Sequence, residues 1–171
     1  MTTNEVDPYR FTGRYIKKVI SQAIEAATPP PDLPWTTPAK PVSESRVALL
    51  STAGISMRDD TPFDMDGERA NPVWGDPSWR QLAGDATSAD VAVNHLHIDT
   101  SYIERDLNVA LPTTRLAELA AAGIVGESAP HHYSIMGFQG DDSSVLENRS
   151  APEIARAMHD DEVDLAILAP V

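Results

Sequence analysis

Apolar positions recur along this chain with two different periods, and the changes of period mark its elements. In the N-terminal stretch Ile16, Val19, Ile20, Ala23, Ile24 and Ala27 fall at helical spacing, which predicts one amphipathic helix with Asp7 as a cap and Pro8 in its first turn. The pattern stops at Thr28-Pro29-Pro30-Pro31. Pro34, Pro38 and Pro41 follow, and a segment so poor in backbone donors is expected to be an extended tether. The expected division is therefore a helix over 1–28, a proline-rich tether over 29–45 and a folded unit over 46–171.

The folded unit opens with a strand, Arg46 to Thr52, ending at Ala53-Gly54. From Ile55 to Asp90 turn signals such as Asp60-Thr61-Pro62 and Gly75-Asp76-Pro77 crowd out any period, so this segment reads as a long lid or binding loop anchored by Phe63, Trp74 and Trp79. A second strand is predicted over Asp90 to Ile98. A helix opens at Pro112, with Leu116, Leu119 and Ala120 on one face, and stops at Gly123. A third strand runs from Ala129 to Met136 and ends at Gly137. The sequence Ser150-Ala151-Pro152-Glu153 has the form of a capping box for a helix through His159, and Val163 to Val171 reads as a fully buried parallel strand. Strands alternating with helices predict an α/β fold with an open, mostly parallel, Rossmann-like sheet, incomplete at its C-terminal end. In such sheets ligands bind beyond the carboxyl ends of the strands.

Composition narrows the function classes. No apolar stretch approaches the ~20 residues that span a bilayer, and the N-terminus lacks the basic and apolar regions of a secretory signal, so a soluble cytoplasmic protein is expected. A net charge of -13 repels nucleic acid and anionic lipid, so neither is expected as a partner. The absence of cysteine excludes disulfides, thiolate metal sites and a thiol nucleophile within these 171 residues.

Three groups of residues are candidates for chemistry. On a strand His95, His97 and Asp99 share one face, and His95-Leu96-His97-Ile98-Asp99 resembles the opening of the H-x-H-x-D-H motif of metallo-β-lactamase-like hydrolases. Thr100 stands where that motif needs its third histidine, so no metal site is assigned. Of His131 and His132, only one can face a given site, where an imidazole could exchange a proton or bind a carboxylate. The turn Gly137-Phe138-Gln139-Gly140-Asp141-Asp142 lacks a nucleotide fingerprint but lies beyond a strand end, as a pocket wall would.

Taken in order, Thr37-Pro38-Ala39-Lys40-Pro41, Arg46 through Gly54, Asp76-Pro77-Ser78-Trp79-Arg80, His95 through Asp99, Arg105-Asp106-Leu107-Asn108-Val109 and His131 through Gly137 resemble the selenoprotein B family. That family holds the selenocysteine-bearing subunits of glycine, sarcosine and betaine reductases and of D-proline reductase. The resemblance implies reductive cleavage of a C–N bond in a small amino-acid-like substrate, with a pyruvoyl-bearing partner subunit and a thiol reductant, and calls for no separate cofactor. It also implies a selenocysteine or cysteine directly after the strand that ends at Val171, then Pro, one residue and Cys. The expectation is accordingly an in-frame UGA codon after that of Val171, and no activity from residues 1–171 alone. The rival expectations are a complete, non-catalytic binding module and a metal-dependent hydrolase using His95, His97 and Asp99. The substrate-pocket candidates are Gly54, His97, Asp99, His131, His132 and Gly137, gathered with Val171 at the carboxyl ends of the strands.

Overall fold

The structure, a computed structural model, describes residues 13–26, 36–140 and 142–171. The chain divides into two compact units between Thr37 and Pro38. In the first, helix α1 covers Arg14–Ala26, the central part of the predicted N-terminal helix. The predicted cap at Asp7, the last apolar position Ala27 and the prolines from Pro29 to Pro34 lie outside the described residues.

The second unit is an α/β domain. Its strands are β1 (Arg46–Ser51), β2 (Ile55–Met57), β3 (Trp79–Ala83), β4 (Val91–Val93), β5 (Glu127–Ser128), β6 (His131–Ile135) and β7 (Leu165–Ala169). Helices α2 (Met65–Ala70), α3 (Ser101–Arg105), α4 (Thr113–Ala121) and α5 (Ala151–Asp160) connect them. Strand β1 is central. One of its edges pairs in parallel first with β5, Arg46 opposite Glu127, and then with β6, Leu50 opposite Tyr133. The other edge pairs in parallel with β7 from Val47↔Leu165 to Ser51↔Ala169. Strand β3 closes the far side, antiparallel to β6. The sheet is thus open and mostly parallel, as the alternation of elements predicts.

Alternating side chains of β1 feed two cores. Val47 and Leu49 join Ile55, Leu82, Ile103, Leu111 and Leu116 on the face covered by α3 and α4. Ala48 joins Tyr133 and Ile154 on the face covered by α5, where Trp79 and Tyr133 pack with ring centroids 6.0 Å apart. Truncating Leu116, 2% exposed, would cost roughly 2–5 kcal/mol at such a site.

Four expectations need correction. The segment from Ile55 to Asp90 is not a long lid: it contains β2, α2 and β3, and Arg80 pins it by donating to Thr61 O (2.6 Å) and Pro62 O (2.9 Å) with its guanidinium 4.3 Å from the Phe63 ring centre. These elements are too short for a period to show. The second strand is only Val91–Val93, and it pairs antiparallel with β2 in a separate two-stranded sheet. Ser150 is not a helix cap, because the chain is already helical there; its hydroxyl donates to Pro77 O, and Glu153 instead accepts from Trp79 Nε1 at 2.9 Å. Finally, β7 is not fully buried. Among the described residues it pairs only with β1, at the edge of the sheet, with Ile167 47% and Leu168 66% exposed.

Candidate functional site at the carboxyl end of the sheet

The turn Thr52-Ala53-Gly54 that follows β1 organises the carboxyl end of the sheet. Thr52 Oγ1 accepts from Val171 N at 2.8 Å, and Thr52 N donates to Ala169 O at 3.2 Å, which ties the chain after β7 to the chain after β1. Gly137 lies against the same threonine: a Cβ on it would come within 3.2 Å of the Thr52 side chain. Two residues on, Gly54 has φ +62, and a Cβ there would sit 2.4 Å from both Asn94 O and Met136 Sδ. Gly54 N donates to Ile135 O at 3.1 Å, while its carbonyl accepts from Asn94 N at 2.8 Å and Asn94 Nδ2 at 3.1 Å. The structure therefore brings Gly54, Gly137 and Val171 around one turn, with Asn94 beside them.

From Asn94 the chain bends away from β4, so the shared strand face expected for His95, His97 and Asp99 does not form. The physical reason is local bonding. His97 N donates to His95 Nδ1 at 3.0 Å, and Asp99 Oδ1 accepts from Ser101 N at 3.0 Å at the start of α3, so the side chains satisfy the backbone that a strand would have paired. The Ser101 bonds hold Asp99 below the usual carboxylate range. Burial lowers the pKa of His95, opposed by the charge of Glu68 and reinforced by His97. Among the described residues no group of three or more His, Asp and Glu side chains is placed to hold a metal.

Glu68 is the residue sequence reasoning missed. It lies on the inner face of α2, which Asp64 caps by accepting from Gly67 N at 2.8 Å. The carboxylate is 3% exposed, its Oε1 accepts no hydrogen bond, and His97 Nε2 stands 3.3 Å away. The available signal is the i, i+3 relation to the half-buried Met65, too short a pattern to separate Glu68 from the neighbouring surface acids. Beside it a cleft of 550 Å³ is lined by Pro62, Phe63, Asp64, Met65, Asp66, Arg69 and Asn94. Arg69 and Asp66, one turn apart on α2, pair at 2.8 Å on its exposed side.

The remaining histidines are elsewhere. Strand β6 starts at His131, so His131 and His132 lie at its amino end, level with Ala48 and Leu49 in the middle of β1 and a strand length from Gly137. His131 Nδ1 meets Asp161 Oδ2 at 3.0 Å, beside the Tyr133 hydroxyl that donates to the same oxygen at 3.0 Å. Burial, reinforced by Asp161, pushes the Tyr133 phenol up. His132 is fully buried, and its Nδ1 accepts from Leu49 N at 3.2 Å. It supplies the partner that Leu49 lacks where β5 gives way to β6, and burial lowers its pKa to about 4.

The loop after β6 packs against the chain at Val73 to Gly75. Gly75 passes so close to this loop that a Cβ would overlap Phe138 O, and Gln139 Nε2 donates to Met136 O at 2.7 Å. Asp76 beside it is raised by burial but drawn below the ordinary range by the Ser78 hydroxyl and by the Asp64 and Ser78 amides.

An open, mostly parallel sheet with helices packed on its faces and a cleft beside Asn94 defines the class as an α/β domain. The profile of the glycine/sarcosine/betaine reductase selenoprotein B family matches residues 7–171, and the chain belongs to that family. It is 32% identical over 153 residues to the D-proline reductase subunit gamma of Acetoanaerobium sticklandii, across 90% of this chain and 59% of that protein. The chain thus spans about three fifths of the length of this curated relative. No solved structure matches it. Among the described residues no helix is long and apolar enough to cross a membrane.

Proposed function

We propose that this chain is the substrate-receiving part of a reductase subunit that takes a small amino-acid-like zwitterion at the carboxyl end of its sheet. The observation that carries the reading is the cleft beside Asn94, which offers a guanidinium, Arg69, and two carboxylates, Asp64 and Asp66, within one small volume. A zwitterion needs both signs a few ångströms apart, and exchange of the Arg69–Asp66 pair for ligand contacts leaves neither charge unpaired. Family membership and the relative's name support the class of reaction, reductive C–N cleavage of glycine, sarcosine, betaine or D-proline type substrates. With no cysteine in the sequence, the electrons come from a selenol or thiol outside these 171 residues. The neighbours such a group would find next to Val171 are Thr52 and Gly137. A pyruvoyl-bearing partner subunit and a thiol reductant complete the reading.

Titration calorimetry with glycine, sarcosine, betaine and D-proline tests it. At least one of the four should bind, and Arg69→Met should weaken that binding about tenfold, the equivalent of ~1.4 kcal/mol for one charge-assisted contact. Absence of binding by all four, or binding indifferent to Arg69, would refute the proposal.

A further inference from the structure

Glu68 poses a problem that packing does not solve. Glu68 Oε1 is shut off from water and accepts no hydrogen bond, and an unsatisfied carboxylate oxygen is costly to hold in a protein interior. Methionine or leucine would fill the same space on α2 without that penalty. The group that approaches Glu68 Oε1 is His97, whose Nε2 stands at 3.3 Å while 61% of its side chain is open to solvent. The backbone positions that ring: His97 N is bonded to His95 Nδ1 at 3.0 Å, and Asn94 is fastened to Gly54 O and to Ser56 Oγ at 2.9 Å. The histidine is therefore hung from the end of β1 with one face on a buried acid and the other free.

We propose that Glu68 and His97 form a carboxylate–imidazole dyad, in which Glu68 is a positioning residue that receives the Nε2–H of His97 and leaves Nδ1 turned outward to exchange a proton with a bound ligand. A rotation of the ring converts the 3.3 Å approach into an aligned bond, the tightening expected when a ligand engages the outer nitrogen. Glu68 sets the tautomer, and the tautomer decides which nitrogen serves the ligand. His95, which accepts from His97 N through Nδ1, is fixed with its own proton on Nε2 and does not compete for the carboxylate. The inference rests on the placement of the ligand at this end of the sheet.

Proton–nitrogen correlation spectra of the imidazoles in the ligand-free protein read the tautomer directly. Neutral His97 should carry its proton on Nε2; a predominant Nδ1–H form overturns the dyad, and that result needs no variant. In Glu68→Met the melting temperature should rise by about 2–5 °C as the unsatisfied buried oxygen is removed, and His97 should lose its fixed tautomer while His95 keeps its own. A fall in melting temperature, or an unchanged His97 tautomer, would show that Glu68 serves the fold and overturn the inference. Both measurements are made without ligand, so failure of every amino acid to bind would refute the functional reading and leave the tautomer result standing.

Discussion

His132 holds its ring between Leu49 N and, at 3.5 Å, Ser128 Oγ, and that position makes the fold sensitive to acid. The folded protein protonates it only near pH 4, whereas an unfolded chain does so near 6.5. Between those values the unfolded state binds more protons, so the stability this histidine contributes is complete above pH 6.5 and is lost as pH falls toward 4. The loss is on the order of 3 kcal/mol. Melting temperatures measured across that window should fall with pH. His132→Leu should flatten the fall, and at neutral pH it should cost roughly 1–3 kcal/mol because Leu49 N is left without an acceptor. A variant with the wild-type acid profile would remove His132 as the cause.

Among the elements, β7 combines firm attachment with poor cover. Its pairing to β1 runs over five residues, yet Ile167 and Leu168 face solvent and, among the described residues, no strand pairs with its outer edge. An apolar edge of this kind promotes association. Replacing both residues by lysine should shift size-exclusion profiles toward the monomer with stability changed by no more than ~0.5 kcal/mol per site. Equal association of variant and parent would exonerate the edge. The same strand shows what was legible in the sequence. Leu165 to Ala169 announced a strand by composition, as did Arg46 to Ser51, and Pro112 and Gly123 bracketed α4 correctly. Burial was not legible, because a parallel strand has the same composition at the centre or the edge of a sheet. The site was only half legible. Gly54 and Gly137 were visible as strand ends, but His95 and His97 left the strand because side-chain bonds replaced ladder bonds, and Glu68 depended on a helix of six residues.

For the whole molecule, the division at Thr37 and Pro38 and the ladder that begins at Arg46 suggest that the second unit carries its own stability. A chain starting at Pro38 should melt cooperatively within about 2 °C of the full chain, since both cores belong to that unit. A non-cooperative transition would show that the N-terminal residues are needed for folding. The close passage of Gly75 beneath Phe138 has a consequence for variation in this molecule. Two loops that meet backbone to backbone leave no side chain between them to absorb a change, so neither can lengthen or shift without the other. Any redesign of these loops has to exchange residues 73–76 and 136–140 as a matched pair, and a graft of one alone should fail even where its own sequence is sound.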